Sequence, residues 1–167
     1  MTIIIPKKAY FTVVAACVRF ANQKIPKDEW LEESGVFTGK IEGDDVIVTE
    51  SYPIMHEEYD PDAIIDKYVW DDEDHISLAM IDDAAFSRGE FIVGWWHSHP
   101  GFKVMLSGFG DRKTTMSYQS SNPKAFALVF NPVRLVRQVE MPEKKGDPEK
   151  QLKNDPGFKI FRLQDPS

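Results

Sequence analysis

Only four histidines occur in the 167 residues, and two of them, His97 and His99, are one residue apart in GWWHSHPGFKVMLSGFGD. Along a strand, side chains alternate between faces. The two imidazoles therefore point the same way, with Ser98 opposite. Such a pair can chelate one ion, although histidines at a strand end more often serve structure. Pro100 stops the strand directly after His99, which puts the pair where loops build sites. Asp111 opens the next helical segment. Its carboxylate can turn back as a hard oxygen ligand or cap the helix. Ser107 sits between them in a glycine-flanked loop, where a hydroxyl can face a substrate or bond its own backbone.

Two histidines and one carboxylate leave a fourth tetrahedral position open, which is the pattern of a catalytic zinc rather than a structural one. Zinc polarises a carbonyl and lowers the pKa of bound water to about 7. Hydrolysis also needs a base that takes and then delivers a proton. The chain must supply it as a carboxylate near the metal but not on it.

The elements that must position these residues follow from hydropathy patterning. Tyr10, Val13, Val14, Cys17 and Ala21 recur at helical spacing, which predicts an amphipathic helix over 7–22. SGVFTGKI and DVIVTESY alternate around the EGDD turn and predict a hairpin. AIIDKYVW reads as a further strand. DDEDHISLAMIDDAAFSRG reads as a helix, with acids in its first turn and Arg88 and Gly89 at its end. Its expected apolar face holds Ile76, Leu78, Met80, Ile81, Ala84 and Ala85. EFIVGWW is a buried strand leading into the histidines, with at least one of Trp95 and Trp96 in the core. DRKTTMSYQSS is a short helix, KAFALVFNP and VRLVRQVE are strands, and FKIFRL closes the pattern. The charged stretch 141–157 is expected to be a mobile insertion in a single domain spanning 1–167. This order predicts an α/β fold with a mixed β-sheet flanked by helices.

The bulk composition narrows the function. A net charge of −7 argues against nucleic acid as the main partner. The lone Cys17 cannot form an internal disulfide and excludes zinc sites built from several cysteines. A reducing cytoplasm fits best. No stretch has the roughly 18 consecutive apolar residues of a membrane span. From Glu42 to Asp83 there are fifteen acids against the single base Lys67. Solvated faces account for most of them; the sharper reading is a basic partner docking there. His56 and His75 stand apart from the motif and are assigned no role.

HSHPGFKVMLSG followed by Asp111 resembles the metal motif of the JAMM (MPN-plus) zinc metalloproteases, most of all the deubiquitinase subunit of the proteasome lid. The family pattern adds an upstream glutamate three residues before a G-x-x-x-G strand. EESGVFTG matches, with Gly35 and Gly39 as the glycines and Glu32 as the glutamate. Glu33 would face the other side of the extended segment. The strand IVGWWHSHP and the later ALVFNP fit as well. One departure stands out: the family has two residues between serine and aspartate, and SGFGD has three. It reads as a one-residue insertion in the Gly108–Gly110 loop.

The resemblance implies an MPN fold. It implies one zinc per chain on His97, His99 and Asp111, with Glu32 as the base and Ser107 as donor to the oxyanion. It also implies an isopeptide substrate joining the C-terminus of ubiquitin or a ubiquitin-like protein to a lysine amine. Phe102, Met105 and Phe109 are candidates to line the substrate channel, with packing the alternative. Partners would be such conjugates, with docking on a proteasome left open, and no nucleic acid or membrane. The chain is expected to act as a stand-alone monomer. Two alternatives stay open: a non-catalytic scaffold of the same fold, and a related peptidase that trims a sulfur-carrier protein. A zinc nucleobase deaminase needs P-C-x-x-C, and a cupin-type site needs a third, later histidine. Neither is present.

Overall fold

Glycines let the central strands approach closely enough to bury the aromatic side chains between them. The computed structural model describes residues 1–54, 70–108, 110–134, 137–140 and 152–164. Strands β2 (Ser34–Glu42) and β3 (Asp45–Ile54) form the expected hairpin, turning at Gly43 with φ +58°. A Cβ on Gly35 would stand 2.3 Å from the Tyr52 carbonyl oxygen and 2.5 Å from the Trp96 ring. Gly35 is therefore the gap that admits Trp96. At Gly39 a Cβ would lie 2.0 Å from the Ile47 carbonyl oxygen, beside a β-bulge. The GxxxG spacing is thus a packing requirement.

The sheet has six strands in the order β1-β3-β2-β4-β5-β8. Besides the hairpin it contains β1 (Ile3–Ile4), β4 (Phe91–Ser98), β5 (Phe126–Phe130) and β8 (Phe158–Phe161). The pairs β1–β3 and β4–β5 are parallel and the others antiparallel, which makes the sheet mixed as expected. Strand β1 comes from the TIII stretch, which has no partner in sequence until β3 pairs with it. The strand expected over VRLVRQVE is shorter: Pro132–Arg134 form a single 3₁₀ turn, and β6 is Arg137–Glu140. It pairs with β7 (Leu152–Asp155) in a separate two-stranded sheet. Of the insertion expected at 141–157, residues 141–151 lie outside the described residues, as do 63–69 of the strand expected at AIIDKYVW.

Helices cover both faces of the main sheet. Helix α1 (Lys7–Phe20) buries Ala9, Val13 and Cys17, one per turn, against Phe37, Trp96, Phe126 and Leu128. Helices α2 (Asp72–Phe86) and α3 (Gly110–Ser121) lie on the other face. Leu78, Ile81 and Tyr118 pack there on Val36, Trp95 and Ala127. Helix α2 begins with a capping box: Asp71 accepts from the Glu73 and Asp74 N–H groups, and the Asp74 carboxylate accepts from the Asp71 N–H. Its apolar face is narrower than expected. Ile76 and Met80 are 61% and 69% exposed, because only the side bearing Leu78, Ile81 and Ala85 meets the sheet. Trp95 and Trp96 are both buried, on opposite faces. Among the described residues, no helix is long and apolar enough to cross a membrane.

Candidate metal centre

The centre forms where β4 ends beside the start of β2. His97 is the last pair of the β2–β4 ladder, opposite Ser34, and it also faces Val129 of β5. Its ring therefore belongs to an inner strand fixed on both sides. It stacks on Trp95, two residues earlier on the same face, with centroids 4.6 Å apart and planes 8° from parallel. His99 lies just past the strand, and its N–H donates to the Phe130 carbonyl at 2.8 Å. Its Nδ1 lies 3.0 Å from the Lys103 carbonyl oxygen. A carbonyl only accepts, so Nδ1 carries the proton and Nε2 keeps its lone pair for a ligand.

Asp111, in the first turn of α3, closes the group. Its carboxylate oxygens are 3.2 Å from His97 Nε2 and 3.5 Å from His99 Nε2, and the two Nε2 atoms are 2.9 Å apart. A tetrahedral zinc with ligand bonds of about 2.0–2.1 Å has ligand-to-ligand edges of about 3.3 Å. The three observed separations bracket that value, so this donor set fits the ion and leaves one position open. The longer SGFGD loop therefore still delivers Asp111 to the histidines. Ser107 explains how: its N–H donates to Asp111 Oδ2 at 2.5 Å across the loop. Helix α3 is tied down as well, because the Trp95 indole donates to Thr115 Oγ1 and Thr115 donates to the Asp111 carbonyl.

The electrostatics follow from this crowding. Burial alone would raise the Asp111 pKa, but hydrogen bonds with His97 and His99, the charge of His97, and the Ser107 N–H hold its carboxyl well below the usual range. Burial pulls the His99 pKa down; Asp111, the Lys103 carbonyl and nearby Glu32 outweigh it and leave the imidazole more basic than usual.

Two cavities meet here. One, of about 690 Å³, runs between α2 and α3 past Trp70, Leu78, Trp95, Lys113 and Tyr118. The other, of about 450 Å³, is lined by His99, Phe102, Lys103, Met105, Ser107 and Gly108. Glu32 and Asp111 line both. Phe102 and Met105 are 64% and 48% exposed, so burial in the core does not explain them. Phe109 lies outside the described residues, as does His56. His75 is exposed on α2, edge-on to Trp70, at the rim of the larger cavity.

The adjacent glutamates part company as alternation requires. Glu32 lines both cavities together with Asp111. Glu33 is 3% exposed on the α1 side of the sheet, and burial pushes its pKa up to about 8. Two supporting residues escaped the sequence reading. Asn131 is buried, and its amide donates to the Phe102 carbonyl at 2.7 Å, which holds the loop whose Lys103 carbonyl orients His99. Ser98 bonds the glutamate segment. The only sequence cues were an Asn-Pro after a strand and a serine between two histidines.

The family described as "JAB1/Mov34/MPN/PAD-1 ubiquitin protease" matches residues 1–124. This chain belongs to it. The match covers all three helices and the hairpin, so the mixed sheet described above is that of an MPN domain. COP9 signalosome complex subunit 5 of Oryza sativa subsp. japonica is 35% identical over 108 residues, 64% of this chain and 28% of that protein. The subunit of the same name from Debaryomyces hansenii is 31% identical over 130 residues, 77% of this chain and 26% of that protein. The 26S proteasome regulatory subunit rpn11 of Schizosaccharomyces pombe is 44% identical over 50 residues, 30% of this chain and 16% of that protein. The chain thus spans under a third of the length of these relatives.

Proposed function

We propose that this MPN domain is a zinc-dependent isopeptidase that removes ubiquitin or a ubiquitin-like modifier from conjugates. The observation that carries the reading is the donor triangle of His97, His99 and Asp111, at tetrahedral edge lengths, with Glu32 and Ser107 on adjoining cavity walls. Zinc, when bound, supplies a Lewis acid and lowers the pKa of water to about 7. His97, His99 and Asp111 would hold it. Glu32 takes the proton of the attacking water and hands it to the leaving amine. The Ser107 hydroxyl donates to the developing oxyanion, a contribution of typically 10²–10³-fold in rate. Phe102 and Met105 line the path of the substrate, and Phe109 is assigned to it on the sequence alone.

Cavities on both sides of Glu32 and Asp111 leave room for polypeptide on either side of the scissile bond. This favours a conjugate over a free chain end. The names of the relatives extend the proposal to partners: a complex of the signalosome or proteasome-lid kind. Cytoplasmic residence and a monomeric domain over 1–167 belong to the same reading. The test is incubation of the purified protein with a ubiquitin-like protein fused to a target lysine. Cleavage that a chelator abolishes and zinc restores supports it. A zinc-loaded protein that cleaves none of a panel of modifier conjugates would refute it.

A further inference from the structure

The serine between the two histidines points away from the centre, yet it is wholly buried and holds the segment that carries Glu32. Two hydrogen bonds join Ser98 to Glu33. The Ser98 N–H donates to the Glu33 carbonyl at 2.8 Å, and the Glu33 N–H donates to Ser98 Oγ at 2.9 Å. Both lie one residue beyond Ser34–His97, the last pair of the β2–β4 ladder. A side chain thus extends the sheet where its regular pairing stops.

Neighbouring contacts press the same segment into place. The Leu31 N–H donates to the Phe20 carbonyl at the end of α1. A Cβ on Gly101 would come within 3.0 Å of the Trp30 ring, so Trp30 lies against the turn that follows His99 and Pro100. The Ser98 pair carries the link between the glutamate segment and the strand that bears His97 one residue beyond the Ser34–His97 pair.

We propose that Ser98 is a positioning residue: its hydroxyl latches the Glu33 amide and so sets Glu32 at a fixed distance from the histidine ligands. It touches neither substrate nor metal and acts through the main chain. The inference rests on the isopeptidase reading for its effect on rate, though not for the latch itself. General-base catalysis requires the base within hydrogen-bond reach of the proton it takes, and a displacement of about 1 Å can cost about 10²-fold in rate. Removing the hydroxyl leaves His97 paired with both β2 and β5, and His99 held by its N–H to the Phe130 carbonyl, none of which involves Oγ.

The test compares Ser98→Ala, Ser98→Thr and Ser98→Val. Thr and Val have the same shape, and only Thr keeps the hydroxyl. In the metal-free proteins, hydrogen exchange should be at least about tenfold faster across 31–34 in the Ala and Val variants and restored in the Thr variant. Exchange across 91–96 should be unchanged. In the zinc-loaded proteins, kcat should fall at least about tenfold for Ala and Val and recover for Thr. KM and zinc affinity should stay within about twofold. Wild-type exchange and kcat in Ser98→Ala would overturn the proposal. So would equal losses in Thr and Val, which point to volume rather than the hydroxyl, or zinc affinity falling in step with kcat, which points to the ligands. A zinc-loaded wild type that cleaves nothing would refute the function proposed above, and the exchange measurement would still decide the latch.

Discussion

Replacing Glu33 by Gln should stabilise the protein relative to wild type by a margin that grows as pH rises. Glu33 lies under α1 beside Cys17, and among the described residues its Oε1 has no hydrogen-bond partner. Burial raises its pKa from 4.5 to about 8. The Ser34 N–H and the more distant Arg19 oppose that rise, and Asp74 adds to it. Folded protein therefore retains a proton that the unfolded chain releases. Below the unfolded value both states are protonated and Glu33 contributes no pH dependence. Between about 4.5 and 8 the unfolded state binds fewer protons, so wild-type stability falls as pH rises, by about 1.4 kcal/mol per pH unit. The bound over the whole window is about 5 kcal/mol. Gln is neutral throughout and close in shape to protonated Glu, so the variant escapes this loss. The assay is urea unfolding of both proteins with a chelator present, at several pH values from 5 to 8. His99 and Asp111 titrate in both and cancel in the difference. Parallel stability profiles would refute the reasoning, since they would mean that water reaches the Glu33 carboxyl.

The two glutamates should also separate in activity: Glu32→Gln keeps the fold and the zinc but loses hydrolysis, and Glu33→Gln cleaves normally, by a conjugate-cleavage assay. Asp111→Ala should lose zinc affinity as severely as His97→Ala in a chelator competition; a loss confined to His97→Ala would reduce Asp111 to a helix residue. Zinc affinity should weaken as pH falls through the raised His99 pKa, because the proton and the metal compete for Nε2. Calorimetric titrations at several pH values would read this. Gly35→Ala should cost about 3 kcal/mol in thermal or urea unfolding, since a Cβ there overlaps both the Tyr52 carbonyl and the Trp96 ring.

The histidine pair was legible in the sequence because its chemistry is local. H-x-H puts two imidazoles on one face by strand alternation alone, and the same alternation separates Glu32 from Glu33. The hairpin, α1 and α3 were legible for a similar reason: their periodicity and turn residues lie within a few positions of each other. What the sequence leaves open is how far apart these pieces end up. Asp111 follows a loop longer than the family pattern, and only the fold, through the Ser107 N–H and the Trp95–Thr115 tie, brings its carboxylate to within 3.2 Å of His97. The role of TIII as a strand depends on a partner more than forty residues away. The outward turn of Ile76 and Met80 depends on which side of α2 meets the sheet. Ser98 shows the division within a single residue. Alternation predicts that it faces away from the histidines, but its bond to Glu33, 65 residues earlier, exists only because tertiary packing lays β2 beside β4.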